Sequence, residues 1–313
     1  MTHTPESSAF RAELAALTTE AFRPELADID RLPTLDIARL MNGEDATVAG
    51  AVAERLPEIA AAIDAVADRM ARGGRLVYAG AGTAGRLGVL DASECPPTFN
   101  TDPARVVGLI AGGPDAMVTS VEGAEDSRDL AASDLAALAL TADDTVVGVS
   151  ASGRTPYAVG AVAYARARGA LTVGLACNPG SALAAAAEHG IEVVVGPELL
   201  TGSTRLKAGT AQKLVLNMLS TITMIRLGKT YGNLMVDLRA SNDKLRARSH
   251  RIVALATGAE DDAVARALAA TDGEVKHAIL VLLADVDGPT AARLLKESGG
   301  HLRAALAEAG GPA

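Results

Sequence analysis

The feature that most constrains this chain is an alternation through its middle, where short β-branched runs take turns with alanine-rich segments of helical period. The strand candidates are Arg75–Ala79, Arg105–Ala111, Thr145–Val149, Leu171–Ala176 and Ile191–Val195. Behind their first residues these runs stay apolar instead of alternating, which is the pattern of strands buried on both faces. Between them lie helix candidates at Thr83–Leu90, Ser127–Leu138, Pro156–Arg168 and Ser181–His189. A longer one over 48–72 comes before them, stopped by Gly73-Gly74. A β-α-β-α succession predicts an α/β fold with a doubly wound, mostly parallel five-stranded sheet and right-handed crossovers.

After Val195 the pattern changes. Thr204–Leu227 reads as one long helix ended by Gly228, apolar enough to be buried on more than one side or to pair with another subunit. From Ser241 no strand signal remains, and helices are predicted at Ser241–Ala256, Asp261–Ala270, Gly273–Ala284, Thr290–Glu297 and His301–Ala309. The expected organisation is an N-terminal helical segment over 1–47, an α/β domain over 48–240 and a small helical bundle over 241–313.

A formal net charge of −9 argues against a sequence-blind nucleic-acid binder, whose surface must be basic. With 2% aromatic residues and no Trp there is little to stack bases on. Cys95 and Cys177 show neither disulfide nor metal-ligand spacing, and no metal and no cofactor is expected. The start, Met1–Ala9, is polar with no basic-then-apolar order, and the uncharged stretch Gly169–Ala187 is interrupted by Asn178-Pro179-Gly180. The expectation is a cytoplasmic protein with no membrane partner. An anionic ligand would have to be held by a local device, because the overall field repels it.

Two loops supply such devices. Gly80-Ala81-Gly82-Thr83-Ala84-Gly85 matches G-x-G-x-x-G at a strand-to-helix junction. A dinucleotide site wants an acidic residue about 20 positions on, at the end of the next strand. Here that strand ends in Ile110-Ala111-Gly112-Gly113. A plain tight turn and an anion or sugar-phosphate loop through Gly82, Thr83 and Gly85 remain open. The third strand runs into Ser150-Ala151-Ser152-Gly153-Arg154-Thr155-Pro156. Thr155 before Pro156 is good capping chemistry, but a cap needs one hydroxyl and this loop has Ser150 and Ser152 as well, so phosphate binding is favoured.

Thr201-Gly202-Ser203-Thr204-Arg205-Leu206-Lys207 opens the long helix, with Ser203 as candidate cap. Lys207 and Arg205 oppose the dipole there, which invites a ligand explanation. Two glutamates stand in odd company: Glu94, just before the helix-ending Pro96-Pro97, and Glu125, in Glu122-Gly123-Ala124-Glu125-Asp126. An isolated carboxylate is ordinarily a solvated surface group, and spacing alone does not bring these two together.

With Asp91-Ala92-Ser93-Glu94-Cys95-Pro96-Pro97-Thr98, Glu122–Ser127, Ser150–Tyr157, Thr201–Leu214 and Gly232-Asn233-Leu234-Met235-Val236-Asp237, the glycine loop through Gly88 resembles the N-acetylmuramic acid 6-phosphate etherases. These belong to the sugar isomerase (SIS) superfamily. The likeness runs from Ile29 to the C-terminus. Two positions depart from it: Ala84 stands where the family has Ser, and the family's Thr-Glu-x-Arg-Asn-Pro appears as Thr19-Glu20-Ala21-Phe22-Arg23-Pro24.

The resemblance implies an SIS-type sheet, a sugar-phosphate substrate, a homodimer, and a lyase that cleaves the D-lactyl ether of N-acetylmuramate 6-phosphate. The products are N-acetylglucosamine 6-phosphate and D-lactate. An alkyl ether leaves poorly, so direct displacement by water is implausible. In the open-chain aldehyde the carbonyl acidifies the C2 hydrogen, a base removes it, an acid protonates the departing oxygen on C3, and water adds back. The resemblance makes Glu94 the acid and Glu125 the base, one protonated and one ionised. The phosphate would be anchored by Ser150, Ser152, Gly153 and Thr155, with Gly82, Thr83, Gly85, Ser203 and Lys207 also facing substrate. The competing readings are a non-catalytic sugar-phosphate-binding regulator and an aldose–ketose isomerase.

Overall fold

The computed structural model of the protein describes residues 14–238 and 243–311, so the polar start Met1–Ala9 and the helix start expected at Ser241 lie outside the described residues. Five strands form one parallel sheet: β1 (Leu76–Gly80), β2 (Val106–Ile110), β3 (Thr145–Val149), β4 (Leu171–Ala176) and β5 (His189–Glu192). Their order is β2-β1-β3-β4-β5. Every residue of the three inner strands is buried, which is why those runs are apolar without alternation. β5 lies earlier than the run expected over Ile191–Val195 and pairs only with β4, from Val173↔His189 to Ala176↔Glu192.

The helices are, in chain order, α1 (Thr34–Asp45), α2 (Val48–Ala53), α3 (Leu56–Ala71), α4 (Gly82–Phe99), α5 (Arg128–Ala137), α6 (Pro156–Arg166), α7 (Ala182–Ala186) and α8 (Lys207–Arg226). The helix expected over 48–72 is therefore two. Pro57 supplies the reason: it has no N–H for the carbonyl of residue 53 and fits only in a first turn, so α3 restarts around it. α3 buries Ile59, Ile63, Val66 and Met70 on one stripe. It ends in a Schellman arrangement, with Gly73 N–H on Met70 O at 3.0 Å and Gly74 N–H on Arg69 O at 3.1 Å. α4 differs from expectation too. It runs through Pro96 and Pro97 to Phe99, and because neither proline has an N–H, the carbonyls of Ala92 and Ser93 lack their usual helical donors in its last turns.

The chain divides into two compact units, one of residues up to Ser93 with Ala104–Ser220, the other of Glu94–Pro103 with the residues from Thr221 on. In the first, one face of the sheet packs Val77, Ala79 and Val146 against Leu135, Tyr157, Ala161 and Ala165. Asp144, at the start of β3, accepts from Arg75 N–H at 2.8 Å, from Arg75 Nη2 at 2.8 Å and from Thr141 N–H at 2.7 Å. Among its described residues the second unit contains a two-stranded hairpin, β6 (Thr230–Tyr231) with β7 (Leu234–Met235), and the helices α9 (Asp243–Thr257), α10 (Asp261–Ala270), α11 (Val275–Ala284), α12 (Gly288–Glu297) and α13 (Leu302–Glu308). Its core joins Val253, Val264, Ile279, Leu280, Leu294 and Leu306. Among the described residues no helix is long and apolar enough to cross a membrane.

Candidate active site

In the order β2-β1-β3-β4-β5 the winding direction reverses between β1 and β3, and the crevice at the carboxyl ends of those two strands is where open α/β sheets take ligands. Gly80 and Val149 are paired in register across it. Of the residues that follow them, Ala81 to Ala84, Ser150 to Ser152 and Arg154 to Pro156 line an open cavity of about 630 Å³, a size suited to a small-molecule ligand.

The glycine loop does two separate jobs. Gly82, with φ +52°, turns the chain from strand to helix in a backbone region that L side chains rarely adopt. Gly85 faces away from the cavity. A Cβ there would lie 2.7 Å from both Gly80 O and Ile110 Cγ1, so its missing side chain lets α4 seat on the strand ends. Gly82, Thr83 and Ala84 line the cavity and Gly85 does not. The position where the family carries Ser thus presents a methyl group to the cavity.

In the second loop the hydroxyls hold one another. Ser150 Oγ lies 2.8 Å from Thr155 Oγ1 and 3.2 Å from Ser152 Oγ, and it accepts from Gly153 N–H at 3.1 Å. Ser152 Oγ accepts from Arg154 N–H at 3.2 Å. Thr155 stands at the cap position of α6 but makes no side-chain cap bond, contrary to the capping reading. Ser150, Ser152 and Thr155 line the cavity, whereas Gly153 supports the loop from behind: φ is +68° and an added Cβ would lie 2.3 Å from Ser181 Cβ.

Glu125 is exposed, sits in the short turn Ala124–Asp126 after Gly123 (φ +72°), and lines the cavity together with Asp126. It also borders a smaller adjoining pocket that shares Ala81 and Gly82. Glu94 is exposed near the end of α4, belongs to the other compact unit, and is not among the residues lining this cavity.

The long helix begins three residues later than expected, and Ser203 does not cap it. Glu198, fully buried, does: Lys207 N–H donates to its Oε2 at 2.9 Å and Ala208 N–H to its Oε1 at 3.0 Å. Lys207 is 4% exposed and gives its Nζ to Glu44 Oε2 at 2.7 Å, while Arg23 bonds the other oxygen of Glu44. The cation that invited a ligand explanation is thus answered inside the protein, and neither it nor Ser203 lines the cavity.

Sequence reasoning missed part of the wall: Leu14, Leu17, Glu20, Thr204 and Gln212 also line the cavity. The N-terminal segment is held there by Asn178, whose Nδ2 donates to Thr19 Oγ1 at 3.0 Å and whose Oδ1 accepts from Thr18 Oγ1 at 2.9 Å. The signals were present, Glu20 in the Thr-Glu pair and Gln212 at the end of the long block, but neither residue type announces chemistry on its own.

The chain matches the glucokinase regulatory protein N-terminal SIS domain over residues 58–166 and the SIS domain over residues 123–222. An N-acetylmuramic acid 6-phosphate etherase of Streptomyces coelicolor is 86% identical over 309 residues, covering 99% of each chain. The proteins of the same name from Rubrobacter xylanophilus and Mycolicibacterium smegmatis are 61% and 54% identical, over 94% of this chain and 97% and 99% of theirs. With relatives this similar over nearly their whole length, the chain belongs to the N-acetylmuramic acid 6-phosphate etherase family.

Proposed function

We propose that the protein cleaves the D-lactyl ether of N-acetylmuramate 6-phosphate, releasing D-lactate and N-acetylglucosamine 6-phosphate by elimination followed by water addition. The observation that carries the reading is the joining of two features in one cavity: a cradle of hydroxyls at the switch point of the sheet and the carboxylate of Glu125. The cradle suits the phosphate, whose oxygens would accept from the Ser150, Ser152 and Thr155 hydroxyls in place of the bonds these make to one another, with the first N–H groups of α4 and α6 adding partial positive charge. Anchored at C6, the sugar chain reaches across the cavity with C2 and C3 free to meet side-chain acids.

Glu125 is the base that takes the C2 proton of the open-chain aldehyde, and Glu94 is the acid that protonates the departing oxygen on C3. The C–H electron pair is first held with the carbonyl as an enolate, then returns to form the C2–C3 double bond as the C3–O bond breaks. Water then returns OH to C3 and a proton to C2. A homodimer in the cytoplasm is part of the same proposal, and so is a working division into an N-terminal segment over 1–47, a sugar-phosphate domain over 48–240 and a bundle over 241–313. The match to a regulatory protein's SIS domain covers residues 58–166 alone, whereas the likeness to the etherases spans nearly the whole chain. Catalysis is therefore favoured over sensing.

The test is turnover of N-acetylmuramate 6-phosphate in water labelled with deuterium and heavy oxygen. Stoichiometric D-lactate, with deuterium at C2 and heavy oxygen at C3 of the sugar product, is expected. Heavy oxygen in the lactate, or an isomerised sugar with no lactate, rejects the reading. Glu125→Gln is expected to lower kcat by at least roughly 100-fold, the contribution of a general base, while still binding the sugar phosphate.

A further inference from the structure

Among the described residues, the side-chain amide of Gln212 in the cavity wall is left unanswered by the fold. Gln212 is 1% exposed and lines the cavity. Its side-chain nitrogen, Nε2, is buried with no hydrogen-bond partner among the described residues. Buried amides are almost always paired, so an unpaired one on a residue of the cavity wall is free to take an acceptor brought by the ligand. Its place supports this. Gln212 lies on the second turn of α8, one turn beyond Gly209, where an added Cβ would come within 3.4 Å of Thr83 Cγ2. α8 therefore approaches the glycine loop closely one turn before Gln212.

We infer that Gln212 is a further catalytic residue of the proposed reaction, its amide N–H₂ donating to the carbonyl oxygen of the open-chain sugar. The inference rests on the etherase reading. When Glu125 takes the C2 proton, the C–H electron pair moves into the C1–C2 bond and the carbonyl π pair moves onto oxygen. That oxygen then carries the developing negative charge, until the pair returns to expel the lactyl oxygen from C3. No proton passes to or from Gln212. A preorganised donor aimed at an oxygen that gains charge in the transition state lowers the barrier without binding the ground state more tightly. An amide suits this place better than an ammonium would, because it neither protonates the enolate nor neutralises Glu125. In the proposed pose the phosphate oxygens meet the hydroxyl cluster of the second loop; the carbonyl oxygen has no comparable partner assigned to it.

The experiment compares the full-length wild type with Gln212→Met and Gln212→Glu. The readouts are kcat and KM for D-lactate release, deuterium exchange at C2 of N-acetylglucosamine 6-phosphate, and the thermal midpoint. Both variants are expected to lose kcat by roughly 10- to 100-fold, with KM within about 3-fold, as for loss of a single oxyanion donor. The C2 exchange is expected to slow in parallel. The midpoint of Gln212→Met is expected to be unchanged or higher, because an apolar side chain replaces an unpaired amide. An unchanged kcat, a loss confined to KM, or a midpoint that falls as far as activity does would each overturn the assignment. If the wild type releases no D-lactate, the etherase reading fails first. If it does and the variants match it, this inference alone fails.

Discussion

Asp144 is a carboxylate whose surroundings nearly all favour its charge. Burial by itself raises its pKa, but the Arg75 guanidinium and the backbone N–H groups of Thr141 and Arg75 outweigh that and bring it from an ordinary 3.8 to about 2. A folded pKa below the unfolded one contributes stability above the unfolded value and loses it as pH falls through the folded one. On the order of 2 kcal/mol is thus expected at pH 7, fading between about pH 5 and pH 2. Urea denaturation should find Asp144→Asn less stable by at least that amount at pH 7, with the gap narrowing towards pH 2. At the same scale the candidate site was partly legible. Ser150, Ser152 and Thr155 stood out because three hydroxyls exceed what a cap needs, and they do share one cavity. Lys207 stood out because a cation at a helix start looked unpaid by local sequence, but its partner Glu44 lies 163 positions away. No pattern along the chain reveals such a pair.

Among the elements, the strands read most clearly. Thr145–Val149 and Leu171–Ala176 match residue for residue, because a strand buried on both faces leaves an unbroken apolar run. The strands Thr230–Tyr231 and Leu234–Met235 left no such trace, being two residues long and half buried. The start of α8 was misplaced for another reason: its cap is not the adjacent hydroxyl but Glu198, whose carboxylate reaches forward over nine and ten positions to the first two N–H groups. Glu198→Ala is expected to destabilise the protein by about 2 kcal/mol or more, since it removes a cap and leaves two buried N–H groups without acceptors. Chemical denaturation checks this. A loss under about 0.5 kcal/mol, the size of an ordinary surface change, would show that the helix start is satisfied otherwise.

For the whole molecule, the proposed elimination needs two carboxyls, and the cavity of one chain is lined by Glu125 without Glu94. In the proposed homodimer a second chain can supply the other. Glu94→Gln and Glu125→Gln subunits, each inactive alone, are then expected to regain about a quarter of wild-type activity when mixed equally: half the dimers are hybrid, and each hybrid keeps one intact site of two. Mixtures that stay inactive after subunit exchange would assign both carboxyls to the same chain. The N-terminal segment reaches beyond its own helices. Leu14, Leu17 and Glu20 wall the cavity, Thr18 and Thr19 clasp Asn178, and Glu44 answers Lys207. The sheet is therefore no minimal enzyme. A fragment trimmed to start at β1 would forfeit one side of its binding chamber and strand an ammonium in the interior with its counterion cut away.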